Sequence, residues 1–298
     1  MSAATAMIAS EARLLVRNPG VVLWTVILPV AAAIVIAAIP AARKPVGSFG
    51  GLSTFQVYQP ILVLFVLSML AVQALPDVLT RYREMGVLKR LRTTPVSPFL
   101  LLTAQFVLIM GVSLVCLALI VVIPGIISGQ WPHHLFGFVV SYLLSCWAFL
   151  GLGMVIASLF RNAKVAAGFG TLAFFVLQFF AGLWIPRSTM PGWMHTISNL
   201  TPSGAGTQAL VDTATTGWPP IVFFGTLVVW GALATIIAMR TFQWEEPRRR
   251  ATRRCTLARV ASPDAATHGH RAPGLAASSC IAFENASPTA GGSTAGRR

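Results

Sequence analysis

Ionisable side chains are scarce in this sequence. Of 298 residues only 10% are charged, eight of them acidic, and there are five histidines. Six long blocks, at 21–39, 57–75, 100–123, 135–160, 165–185 and 221–239, hold no Asp, Glu, Lys, Arg or His at all. A carrier driven by protons or sodium usually keeps such a group inside the membrane, where its cost of burial marks function, so the empty blocks argue against that class. No GxxxxGK[ST] phosphate loop occurs, so the chain does not hydrolyse a nucleotide by that chemistry. The four cysteines show no ligand spacing: Cys116 and Cys146 lie inside apolar blocks, Cys255 and Cys280 in the C-terminal stretch. That pattern suggests neither a zinc site nor a disulfide framework. With no nucleophile–base pair or metal cluster to read, the chain is not expected to be an enzyme.

What fills the space is hydrocarbon. The chain is 55% hydrophobic with a mean hydropathy of +0.74. Each block has the roughly 20 residues that a helix rising 1.5 Å per residue needs to cross a core of about 30 Å. The expected fold is all-α: a polytopic membrane protein with six transmembrane helices. The first block is too long for the apolar core of a secretory signal and is followed by further spans. Lys and Arg set the orientation. With the N-terminus inside, inner segments before the last span carry Arg13, Arg17, five cations of residues 76–98, Arg161 and Lys164, and outer segments only Arg43, Lys44 and Arg187. Both termini are therefore predicted to be cytoplasmic, in the inner membrane. The net charge of +14 does not indicate nucleic acid, because the cations flank spans and form no patch on a folded domain.

Three further segments are distinguishable. Residues 1–20 mix apolar and charged positions and read as an amphipathic helix on the cytoplasmic surface, before the membrane domain 21–246. The outer segment 186–220 is longer than a turn needs to be. Trp193, Ile197 and Leu200 repeat there at helical spacing, which suggests an amphipathic helix or re-entrant pair, with an ordinary loop as the alternative. Residues 247–298, rich in Ala, Ser, Gly, Pro and Arg, read as a disordered basic tail able to meet anionic headgroups.

The charges gather at 76–98, PDVLTRYREMGVLKRLRTTPVSP. Residues 77–85 are predicted to extend the second helix beyond the membrane, with Val78, Tyr82 and Met85 on one face. Gly86 permits a change of direction. Lys89, Arg90 and Arg92 beside Leu88 and Leu91 form a short stub, and Thr94-Pro95 ends it. Ser97-Pro98 suits the start of the third span. Glu84 is placed to pair with a basic group on a partner or with a neighbouring arginine. Topology control explains the individual cations equally well.

Glu84-Met85-Gly86 followed by Leu88-Lys89-Arg90-Leu91-Arg92-Thr93-Thr94-Pro95-Val96-Ser97 resembles the E-x-G…L-K-R-L-R-x-T-P-x-S signature of type-2 ABC exporter permeases, most closely the daunorubicin-resistance-type permeases of actinobacteria. The resemblance extends over 1–246 and includes Pro191-Gly192-Trp193, Asn199-Leu200-Thr201-Pro202 and residues 240–245. It implies two permease subunits, identical or different, each on a separate ATP-binding subunit that carries the ATP and Mg, so that this chain binds no cofactor. It implies contact with that subunit through Arg83, Glu84, Gly86, Leu88, Lys89, Arg90, Arg92, Thr94 and Pro95, with Arg161 and Lys164 as a second inner contact. The cargo it suggests is a hydrophobic or amphipathic small molecule, such as an antibiotic, in a drug-resistance setting. Gln73, Gln105 and Gln178 are polar groups within spans that need partners there, and with Phe175 and Phe179 they are a candidate solute path. Packing or lipid contact is the plainer reading of the aromatics. Gly153 with Ala157 and Ala166 with Gly170 are small pairs suited to close helix contact. A second reading of the whole chain is a non-transport membrane scaffold that docks a cytoplasmic partner through 76–98.

Overall fold

In the computed structural model of the chain, the described residues are 8–13, 17, 19–85, 98–160 and 162–241. They are helical almost throughout: α1 (8–13), α2 (19–38), α3 (Thr54–Glu84), α4 (Pro98–Ser128), α5 (Leu135–Leu159), α6 (Ala163–Ala181), α7 (Gly192–Leu200), α8 (Pro202–Thr215) and α9 (Ile221–Thr241). Pairing between strands among the described residues is confined to an isolated bridge between Pro45 and Ser53. Five helices, α3, α4, α5, α6 and α9, are long and apolar enough to cross a membrane. The apolar stretch Leu23–Ala38 is shorter, and reaches spanning length only with the turn Pro19–Val22 before it. The protein is an all-α, multi-pass membrane protein.

α3 is the axis of the bundle. A capping box starts it: Ser53 Oγ accepts from the Gln56 N–H at 3.2 Å and Gln56 Oε1 from the Ser53 N–H at 2.9 Å. Its 31 residues would extend about 46 Å, against a hydrocarbon core of about 30 Å. The last ten, Leu75–Glu84, carry Asp77, Arg81, Arg83 and Glu84, so the excess length projects at that end as a charged stalk.

Between membrane part and stalk the helix changes type. Met69–Ala74 is π-helical, and the Leu75 N–H reaches back to the Leu70 carbonyl. Pro76 follows at once, with no N–H to give the carbonyl one turn back, and the ladder re-forms around that gap. The same device recurs in α2, where Leu23–Ile27 is π-helical, the Leu28 N–H bonds the Leu23 carbonyl, and Pro29 follows.

The bulge in α3 turns two carbonyls toward neighbouring helices. A Cβ added at Gly153 of α5 would lie 1.8 Å from the Ala71 oxygen, and one at Gly170 of α6 would lie 2.8 Å from the Val72 oxygen. Only glycine permits both approaches. Lipid tails are as apolar as leucine, so close packing rather than hydrophobic drive holds such helices together. Val72, Ala71, Leu67 and Leu64 are fully enclosed, whereas Val35, Leu172, Val229 and Met239 on the outer helices face outward.

At the end of the bundle opposite the stalk, the segment 186–220 forms a short 3-10 turn (Arg187–Thr189), α7 and α8. Thr201 caps α8 by accepting the Gly204 N–H at 3.1 Å. Small residues let α8 sink among α3, α5, α6 and α9, and Thr207 and Thr213 satisfy their hydroxyls on carbonyls of their own helix. Arg187 is buried. It donates to Ser198 Oγ and Asn199 Oδ1 and so ties the turn after α6 to the end of α7. Burial pushes its guanidinium down to about 10, opposed by the charge of Asp212 on α8.

Candidate functional site

The end of the stalk lies against the connection between α5 and α6, and two adjacent residues of opposite charge meet its two sides. Arg83 Nη1 donates to the carbonyl of Ala157 at 2.8 Å, in the last turn of α5. Glu84 Oε1 accepts the N–H of Ala163 at 2.8 Å, the first residue of α6. A helix bears partial negative charge at its C-terminus and partial positive charge at its N-terminus, so each charge sits at the pole that favours it. Asn162 completes the cap of α6, its Oδ1 accepting from the N–H groups of Lys164 at 2.9 Å and Val165 at 3.3 Å.

A second set of bonds ties the stalk to the N-terminal segment. The Glu11 carboxylate on α1 accepts from the Tyr82 hydroxyl at 2.6 Å and from Gln105 Nε2 of α4 at 2.8 Å. α1 is therefore bracketed to two other helices through one side chain. Arg81 and Asp77 form an exposed i,i+4 ion pair at 3.0 Å, the kind worth about 0.3–0.5 kcal/mol. The stalk thus bonds α1, α5 and α6 directly, and reaches α4 through Glu11.

Among the expected contact residues, Arg83, Glu84 and Lys164 come together here, Lys164 exposed on the first turn of α6. Gly86, Leu88, Lys89, Arg90, Arg92, Thr94, Pro95 and Arg161 lie outside the described residues. The candidate solute-path residues do not share one cavity. Gln105 belongs to the stalk cluster. Gln73 donates to Thr171 at 3.2 Å and the fully buried Gln178 to Ser68 at 2.5 Å, so both join α3 to α6, one from within the bulge and one just before it. Phe175 is half exposed, its ring beside Phe174 and Trp184, and Phe179 lies edge-on to Phe180. The bonded pair of Glu11 and Tyr82 also belongs to the site, a pairing that no sequence spacing signals. The cue was a lone acid in an otherwise basic N-terminal helix.

Residues 3–214 match the family described as ABC-2 type transporter. A protein of Bacillus subtilis (strain 168) named as a transport permease, YvfS, is 26% identical over 226 residues, covering 72% of this chain and 87% of that protein. The family match runs from the N-terminal segment through nearly all of α8 and contains the whole stalk cluster. Membership of this family implies an ATP-binding partner subunit, and the chain belongs to the ABC-2 type transporter family as a membrane component.

Proposed function

We propose that this chain is the permease subunit of an exporter in the cytoplasmic membrane, driven by a separate ATP-binding subunit that docks on the stalk and on residues 86–97. The observation that carries the reading is the paired engagement of Arg83 and Glu84 with the facing ends of α5 and α6. A partner that moves the stalk tip displaces the inner ends of two spanning helices together. The cargo is a hydrophobic or amphipathic compound, in keeping with spans that carry no ionisable groups, and two permease subunits form the transport unit.

The test is a pull-down of detergent-solubilised protein from its native membrane, wild type beside Glu84→Ala, with identification of what is recovered. An ATP-binding subunit with wild type, reduced in the variant, supports the reading. Recovery of no ATPase with either protein refutes it and transfers the assignment to a docking scaffold.

A further inference from the structure

A cavity of about 230 Å³ lies within the membrane part, walled by α3, α5, α6 and α9 and closed at one end by the α7–α8 junction. Val72 of the π-helical joint, Ile156, Ala173, Leu177, Phe180 and Trp230 line it. Two polar groups border it, and both are already bonded within the protein. The Trp230 indole N–H donates to the Leu200 carbonyl at 2.8 Å. The Thr201 hydroxyl donates to the Ser198 carbonyl at 2.7 Å and accepts the Gly204 N–H. The walls therefore offer a ligand carbon alone.

Three consequences narrow the occupant. Water needs two to four polar partners and finds none, so the cavity does not hydrate. Drug-sized ligands take roughly 300–1,000 Å³ and rely on a few placed polar groups, neither of which is available here. Val176, 48% exposed on α6, borders the cavity, so it communicates sideways with the lipid phase. A hydrocarbon chain enters such a space with no desolvation cost and gains the dispersion contacts that an empty wall forfeits.

We propose that this cavity is an acyl-chain site, taking one tail of a bilayer phospholipid against the joint of α3. The site does not depend on the exporter reading, because it is a property of the membrane part alone. Its position gives it a consequence: a chain seated against Val72 touches the segment that separates stalk from span.

The experiment uses full-length protein reconstituted in vesicles of phosphatidylethanolamine and phosphatidylglycerol, a small fraction of the latter carrying a mid-chain diazirine. After irradiation, adducts are mapped by peptide mass spectrometry. Labelling at Val176, Phe180 or Trp230 should exceed labelling at Val35, on the outward face of α2, several-fold. Ala173→Phe and, from the opposite wall, Leu152→Trp should each remove most of that excess while labelling of Val35 is unchanged, which controls for folding and reconstitution. Cavity labelling no greater than at Val35, or labelling that survives both filled variants, overturns the proposal. So does a disulfide formed between two copies of a Val176→Cys variant under mild oxidation with copper phenanthroline, since protein would then cover the mouth.

Discussion

Alanine at Gly153 should be destabilising, although the usual expectation for a glycine inside a helix is the reverse. Replacing it gains about 1 kcal/mol of helix propensity. The new Cβ would, however, stand 1.8 Å from the Ala71 oxygen, where an ordinary contact begins at 3.4 Å. α3 and α5 must therefore separate by about 1.5 Å, and the obstacle is backbone rather than a yielding side chain. Overpacking costs typically 1–3 kcal/mol and at times more; an overlap this deep against backbone belongs at the upper end, about 3 kcal/mol, so the net loss is about 2 kcal/mol. At about 2–4 °C per kcal/mol for a domain of this size, Tm should fall by roughly 5 °C. Two other glycines calibrate the argument. At Gly170 the Cβ is 2.8 Å from the Val72 oxygen, a deficit of about 0.6 Å, and the two effects nearly cancel. At Gly168, two residues away on the same helix, a Cβ meets no atom within 4 Å, and alanine should be neutral or stabilising. Thermal unfolding of the solubilised protein, followed by the loss of its monodisperse peak on size exclusion, gives the ranking. Gly153→Ala at or above wild type would refute the close approach between bulge and glycine.

Other expectations follow from the stalk end and the opposite cap. Glu84→Gln keeps an acceptor for the Ala163 N–H and should retain most ATP-driven efflux, whereas Glu84→Ala loses a bond worth about 1 kcal/mol and should lose coupling while still inserting; equal loss in both would assign Glu84 to a charge pair with a partner. Exchanging the charges, Arg83→Glu with Glu84→Arg, leaves composition unchanged but puts each at the wrong helix pole, and should lower Tm by an amount corresponding to about 1–2 kcal/mol. A double-mutant cycle of Glu11→Gln and Tyr82→Phe should return a coupling of about 1 kcal/mol or more, as expected for a bond to a carboxylate, and additivity would contradict it. Burial, and then the nearby charge of Arg187, hold His195 below its ordinary 6.5. The folded state disfavours the imidazolium, so His195 contributes stability that is present above 6.5 and lost as pH falls below it. Asp212 is shifted upward by burial and acts in the opposite sense on acidification. His195→Gln should therefore remove a loss of Tm between pH 7 and 5, and an unchanged profile would count against the assignment.

Much of the architecture was legible because of what the spans omit. Blocks without a single ionised side chain admit few solutions in a bilayer, and the extension of the second helix to Glu84 followed from the face shared by Val78, Tyr82 and Met85. The small pairs around Gly153 and Gly170 marked close contact, but their partner, the carbonyls of a π-helical turn, was not legible. Pro76 was the available cue, but a proline in a continuing helix does not by itself show that the turn before it is π-helical. Gln105 looked like an intramembrane polar group in search of a solute, because its partner Glu11 is 94 residues away. Glu84 and Ala163 are separated by 79, and no local pattern predicts that pairing. Arg187 was counted as an outer topology charge, whereas its burial depends on Ser198 and Asn199 folding back over it.

The π-helical turn also fixes a direction. An α-helix advances about 100° in azimuth per residue, so one additional residue between Ser68 and Pro76 sets the compass bearing of everything beyond it. Letting 69–74 wind as a regular α-helix at unchanged length would instead swing the stalk by about 100°. Tyr82 would then turn away from Glu11, and Glu84 away from Ala163. What this stretch must preserve is the match between its length and its winding: a substitution that regularised the turn would re-aim the arm, whereas a one-codon deletion with regularisation would leave its bearing nearly unchanged.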